Sequence, residues 1–182
     1  MKIIYFFLLY CTFSSFAQNS TKDSLRLELA KPHDDTTRLD ILFNLAFNEV
    51  WDNADSAFQL AREGLLSSQK FGYLKGEAEF LITIGASYWL NGNYNAALKY
   101  DFEALPICER LDNDLLLWYC SIGLTTVFRD QKDYTQAVKY GKIIEKNCIE
   151  NEKPELLRWS CSKSWFNLSR NEPIGFCKIL FT

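Results

Sequence analysis

Apolar residues recur along most of this chain at steps of three and four positions, and short polar breaks divide the pattern into segments. Phe80, Leu81, Ile84 and Tyr88 form one such set, which gives a helix a single apolar face. The Gly92-Asn93 step then interrupts the pattern, and an Asn side chain suits the start of a second helix. The pattern therefore predicts pairs of helices joined by tight turns.

The helix-pair pattern repeats at a fixed step of 40 residues. The segment from Gly92 to Tyr100 realigns with the segment from Lys132 to Tyr140, and Ala57 matches Ala97 at the same step. A fixed period of roughly 20–50 residues is typical of stacked-repeat proteins. We therefore predict an all-α fold, an α-solenoid of stacked antiparallel helix pairs with about 3.5 repeats. The predicted units within the repeat domain, residues 36–182, are 36–73, 74–113, 114–153 and 154–182, the last of them degenerate or truncated.

The first 17 residues have the features of a secretory signal peptide. Lys2 supplies a positive start, the run from Ile3 to Phe13 is almost entirely apolar, and small residues precede a cleavage point after Ala17. The apolar run is shorter than the roughly 20 residues that a membrane span needs, although an uncleaved anchor stays open as the alternative. We expect a periplasmic or secreted protein with no membrane span in the mature chain. Residues 18–35 then form an N-terminal helix and linker.

Charge and composition argue against two classes of function. The formal net charge is −3, and removal of a leader with one Lys makes it −4, so the basic surface of a nucleic-acid binder is missing. The single histidine, His33, lies in a polar linker, away from any partner for a zinc site or a catalytic triad. No phosphate-binding glycine loop or nucleophile motif occurs. We therefore expect a non-enzyme with no cofactor, no metal and no nucleic-acid partner.

The six cysteines show no spacing that marks a disulfide pair. Five remain after loss of the leader, and none forms a CxxC motif. Cys108 and Cys148 are one repeat apart, and equivalent positions on stacked repeats lie roughly 10 Å apart, beyond the ~7 Å limit for a bridge. We expect small buried side chains at these positions, and the sequence leaves open whether any pair forms a disulfide.

The tetratricopeptide repeat family has a motif that the second unit resembles. That motif runs W-x-x-L-G-x-x-Y, then A-x-x-x-F, then P. In this chain Leu81 stands for the Trp and Ile84 for the Leu, followed by Gly85, Tyr88 and Ala97. Asp101 replaces the second aromatic and the terminal Pro is missing. Long-period repeats behind such a leader resemble those of exported and sensor proteins from the Bacteroidetes.

The resemblance implies a concave groove, lined by the first helix of each unit, that receives segments of partner proteins. The matching positions are Phe43, Phe47 and Val50, then Glu79, Ile82, Ala86 and Trp89, then Tyr119, Ile122, Thr126 and Arg129. The family's chaperone-binding members hold a terminal carboxylate there with Lys and Asn. Apolar residues and one Thr occupy those places here, so that activity is not expected. The alternative is that Phe43, Ile82 and Ile122 are covered by neighbouring repeats or by the N-terminal helix.

Two interpretations of function follow. The first is a non-catalytic protein–protein interaction scaffold of the cell envelope, which binds a protein or peptide partner in an apolar groove. The second is the N-terminal sensor region of a membrane-bound signalling protein, such as a histidine kinase, whose transmembrane and output parts would follow residue 182. The identity of the partner is not encoded in any motif of the sequence.

Overall fold

The computed structural model describes residues 21–150 of the chain, with side chains as far as Asn147. Over that part the protein consists of seven helices and contains no β-strand. The first, α1, covers residues 21–29, and it is followed by α2 (Asp35–Glu49), α3 (Ala54–Phe71), α4 (Leu74–Leu90), α5 (Tyr94–Arg110), α6 (Asp114–Asp130) and α7 (Tyr134–Glu150). The predicted leader at 1–17 and the predicted fourth unit at 154–182 lie outside the described residues.

The second helix of each described unit begins at a side-chain cap. The side-chain oxygens of Asn53, Asn93 and Asp133 accept backbone N–H hydrogen bonds from three residues further on, at 3.0, 3.2 and 3.1 Å. Such caps satisfy a donor that the first helical turn leaves without a partner. Helix α6 begins in the same way at Asn113, and α2 begins at Asp34. The prediction that Asn93 caps the second helix of its unit is confirmed.

The turns between helices also repeat. Gly92 and Lys132, which stand 40 residues apart, have left-handed φ angles of 74° and 65° in the turn inside a unit. Gly72 and Asp112 have φ angles of 67° and 49° in the turn between units. Glycine takes this conformation without steric cost, whereas other residues rarely adopt it. The left-handed turn conformation therefore repeats with the same 40-residue period as the sequence.

The helices stack as a solenoid of antiparallel pairs. Each helix from α2 onward packs against the next one along the chain. The first helices of the units, α2, α4 and α6, also contact one another, more extensively than the second helices α3, α5 and α7 do. The first helices therefore form an inner layer and the second helices an outer one. The predicted all-α solenoid of stacked helix pairs is confirmed, with three pairs in the described part of the chain.

Close packing inside the second unit depends on Gly85. A Cβ atom placed on Gly85 would lie 3.4 Å from the carbonyl oxygen of Ala97, so the two helix backbones approach closely there, as the sequence predicts. Tyr88, one turn further along α4, stacks on Tyr100 of α5 with 5.5 Å between ring centroids. The motif residues thus hold α4 against α5.

Helix α1 packs at the start of the stack and runs antiparallel to α2. Lys22, near its beginning, forms an ion pair with Glu49 at the end of α2, at 3.2 Å. Arg26 pairs with the same carboxylate. Leu29, near its end, packs against the apolar cluster that contains Leu39 from the beginning of α2. The two helices are therefore held together along their whole shared length.

Candidate partner-binding face

The residues predicted to bind a partner lie on the three first helices. We call the surface that they form the inner face. It comprises Phe43 and Phe47 on α2 and Val50 directly after that helix, Glu79, Ile82, Ala86 and Trp89 on α4, and Tyr119, Ile122, Thr126 and Arg129 on α6. Because these helices contact one another, residues of different units meet on this face.

An aromatic cluster occupies the middle of the inner face. Phe47 on α2 makes an edge-to-face contact with Tyr119 on α6, with 5.3 Å between ring centroids. Phe43 lies 5.6 Å from Phe47 and 6.2 Å from Phe80 by the same measure. Tyr119 in turn contacts Trp118 at 5.0 Å. The structure thus brings aromatic side chains of the first and third units together across the second.

Burial divides the inner face into two groups. Val50, Glu79, Ile82 and Thr126 keep at most 9% of their surface exposed. The other residues are partly exposed, namely Phe43, Phe47, Ala86, Trp89, Tyr119, Ile122 and Arg129. Ile82 is therefore covered by its neighbours, as the alternative interpretation expects. Phe43 and Ile122, in contrast, retain accessible surface. The accessible part of the inner face is mainly aromatic and apolar.

A second aromatic contact lies at the end of the first helices. Trp51, two residues after the end of α2, makes an edge-to-face contact with Trp89 at 6.2 Å between centroids. The indole N–H of Trp89 donates to a carboxylate oxygen of Asp130 at 2.7 Å. The other oxygen of Asp130 forms an ion pair with the guanidinium of Arg129 at 2.8 Å. Trp89 is therefore fixed in one orientation, beside a Trp51 side chain that is 59% exposed.

Sequence reasoning missed Trp51 because it lies in a turn, outside the predicted helix. It directly follows Val50, the last residue of the first unit assigned to the groove, and the repeat register aligns it with Leu90 and Asp130. The repeat register could have pointed to Trp51, because the equivalent residue in the second unit, Leu90, is an exposed apolar side chain as well.

A polar cluster lies toward the beginning of the first helices. Asp40 accepts a hydrogen bond from the hydroxyl of Tyr73 at 2.7 Å and pairs with Lys75 at 3.1 Å. Lys75 also pairs with Glu79 at 3.5 Å. Burial raises the pKa of Glu79 to about 7, against the opposing effect of Lys75. One oxygen of Glu79, Oε2, is buried and has no hydrogen-bond partner among the residues that the structure describes.

A buried carboxyl group lies behind the inner face, in the second unit. Asp101, on α5, is 1% exposed and lies between Gly85 of α4 and Gly123 of α6. A Cβ atom at either glycine would come within 2.8 Å of a carboxylate oxygen, so the two glycines make the space that the carboxyl occupies. Burial raises the pKa of Asp101 well above its usual value, and Cys108 adds to the effect. This is the residue that departs from the tetratricopeptide motif.

No family model matches the chain, and no curated protein matches it either. Between residues 21 and 150, none of the helices has the length and apolar character needed to cross a bilayer. Among the same residues, His, Cys, Asp and Glu side chains form no group of three suited to a metal ion. His33 lies between α1 and α2, and its Nε2 is 2.8 Å from the carbonyl oxygen of Glu28. The geometry of the inner face is therefore the main guide to function.

Proposed function

We propose that this chain is a non-catalytic interaction scaffold that binds a segment of a partner protein along the inner face. The observation that carries the proposal is the set of partly exposed aromatic side chains there. Phe43, Phe47, Trp89 and Tyr119 belong to the inner face, and Trp51 adjoins it. Aromatic residues are enriched among those that dominate binding energy at protein interfaces.

These aromatic side chains are held in place before any partner arrives. Trp89 is oriented by Asp130, and Phe47 is oriented by its contact with Tyr119. Side chains that are already ordered lose little conformational entropy on binding. The charged groups nearest Trp89, on Arg129 and Asp130, are paired with each other. We therefore expect the partner segment to be an amphipathic helix or an extended apolar strand.

We also propose that the repeats are of the tetratricopeptide type and that the chain is exported. The first proposal is supported by the motif residues Leu81, Ile84, Gly85, Tyr88 and Ala97. The second is supported by the leader that ends at Ala17. N-terminal sequencing of the protein from the envelope fraction of its native host should find Gln18 first. Retention of Met1 would contradict cleavage at this point.

Substitution of Trp51 tests the binding proposal with little risk to folding, because Trp51 is exposed and lies in a turn. Wild type, Trp51→Ala and Leu66→Ala would be used as bait on the native envelope fraction, and the affinity of the captured protein would then be measured. Leu66 is the matched control, an apolar residue of the outer helix α3 that is 61% exposed. Trp51→Ala should weaken binding at least about tenfold, as truncation of an interface Trp commonly does. Equal losses in both variants, or none in either, would place the binding surface elsewhere.

A further inference from the structure

A row of equivalent residues crosses the inner face near the beginning of the first helices. The repeat register aligns Asp40 on α2 with Glu79 on α4 and Tyr119 on α6. Asp40 precedes Phe43 by three positions and Phe47 by seven, so it lies on the same side of α2 as these two rings. Tyr119, at the other end of the row, contacts the ring of Phe47. The row therefore leads from two carboxyl groups to the aromatic cluster.

One ammonium group lies between the two carboxyl groups. The Nζ of Lys75 is 3.1 Å from Oδ1 of Asp40 and 3.5 Å from Oε1 of Glu79. In the first two turns of the three first helices, the other basic residue is Arg38, whose guanidinium donates to the main-chain carbonyl of Leu29. When both carboxyl groups are ionised, the polar cluster therefore has an excess of one negative charge.

The polar cluster also has acceptor atoms to which no group donates. The hydroxyl of Tyr73 and the ammonium of Lys75 both donate to Oδ1 of Asp40. The Asp40 side chain is 40% exposed, and its Oδ2 accepts no hydrogen bond from the residues that the structure describes. The Glu79 side chain is only 6% exposed, and its buried Oε2 also lacks a donor within the described part of the chain. The cluster therefore lacks both a positive charge and a donor.

We propose that the partner segment carries a lysine or arginine side chain that binds the polar cluster at Oδ2 of Asp40. This inference rests on the proposed function, because the partner must lie along the inner face for such a side chain to reach the cluster. A cationic side chain supplies the missing charge and N–H donors in one group. Burial raises the pKa of Glu79 to about 7, and a second cation nearby favours the ionised form of this carboxyl.

The opposite end of the inner face has no such excess of charge. There Asp130 is paired with Arg129, and Glu49 is paired with Lys22 and Arg26 on α1. The two ends of the first helices therefore differ in their electrostatic character. A basic residue on the partner would recognise one end only, so it would fix which way the segment lies on the inner face.

The test uses the full chain and a displayed library of random peptides of roughly 15 residues, the length of a short helix. Peptides are selected on the wild type, on Asp40→Asn and on Glu63→Gln. The control residue Glu63 is exposed on the outer helix α3, and its variant loses the same charge. Peptides selected on the wild type and on Glu63→Gln should combine apolar residues with a lysine or arginine at a fixed spacing from them. Peptides selected on Asp40→Asn should keep the apolar residues and lose the basic one.

Two results of the selection would overturn the proposal. The first is the same frequency of lysine and arginine in the peptides from all three proteins. The second is an equal loss of the basic residue in both variants, which would mean that net charge alone attracts the peptides.

Affinity measurements then separate this inference from the proposed function. One selected basic peptide, and an analogue with glutamine in place of its basic residue, are titrated into the wild type, Asp40→Asn and Trp51→Ala. Asp40→Asn should weaken binding of the basic peptide about fivefold at low salt, as loss of a partly exposed ion pair does, and less at high salt. It should leave the affinity of the glutamine analogue unchanged.

Trp51→Ala should weaken the binding of both peptides. If Trp51→Ala weakens both and Asp40→Asn weakens neither, the inference is wrong and the proposed function stands. If Trp51→Ala weakens neither peptide, the selected peptides bind outside the inner face, and the proposed function fails together with the inference.

Discussion

The ring of Phe47 on α2 lies 5.3 Å, centroid to centroid, from the ring of Tyr119 on α6. Helix α4 stands between these two helices in the stack, and the residue equivalent to Phe47 on it is Ala86. This contact joins the first unit directly to the third.

A double-mutant cycle should detect this contact. Phe47→Ala and Tyr119→Ala each remove one ring, and the double variant removes both. Edge-to-face aromatic pairs contribute about 0.5–1.5 kcal/mol beyond their buried area, so the free energies of unfolding should be non-additive by that amount. Urea denaturation of the four proteins measures it. The control cycle combines Phe47→Ala with Leu66→Ala, because Leu66 lies on the outer helix α3. The changes in unfolding free energy should be additive in this control, and additivity in both cycles would contradict the contact.

Asp101 should make the protein less stable as pH rises. Burial raises its folded-state pKa above the usual value of 3.8, so the protonated carboxyl is favoured in the fold. The contribution of the protonated carboxyl to folding stability is fully present below pH 3.8, and it is lost as pH rises through the folded-state pKa. The side chain of the Asp101→Asn variant cannot ionise. The free energy of unfolding of this variant at pH 8 should therefore be larger than that of the wild type by roughly 1–3 kcal/mol. The free energies of unfolding of both proteins should be measured between pH 4 and pH 8. The advantage of Asp101→Asn over the wild type should grow as pH rises, and a constant difference would contradict the assignment.

Gly123 should be required because of Asp101. The atoms nearest to a Cβ placed on Gly123 all belong to the Asp101 carboxyl, the closest at 2.8 Å. Gly123→Ala should therefore destabilise the wild type by roughly 1–3 kcal/mol. In an Asp101→Ala background the same change should be neutral, or stabilising by up to about 1 kcal/mol, because Ala favours the helix over Gly. Chemical denaturation of the four proteins decides it; the same cost in both backgrounds would mean that another neighbour causes the strain.

The sequence was sufficient for the helix pairs because the repeat supplies the same information several times. Positions such as Gly92 and Lys132 agree in backbone conformation, and Asn93 caps its helix as the side-chain chemistry requires. The register also predicts which side of each first helix faces a partner, and that assignment stays a prediction. It did not give the packing of side chains between units. The contact between Phe47 and Tyr119 and the burial of Glu79 depend on that packing.

Two other features combine residues that no single motif joins. Asp101 was recognisable as a departure from the motif, but Gly123, which completes its space, belongs to the next unit and to no motif position. Cys108 and Cys120 are separated by 12 residues on different helices, and the packing of α5 against α6 places both in one buried apolar cluster.

Photo-crosslinking in the native host tests the central claim most directly, that a partner binds on the inner face. A benzophenone amino acid would replace Trp51 or Ala86 at that face and, in matched controls, Leu66 or Phe71 on the outer helix α3. All four side chains have accessible surface. We predict that positions 51 and 86 crosslink to the same partner protein and that positions 66 and 71 do not. Crosslinks to a common partner from positions 66 and 71, with none from 51 and 86, would contradict the account.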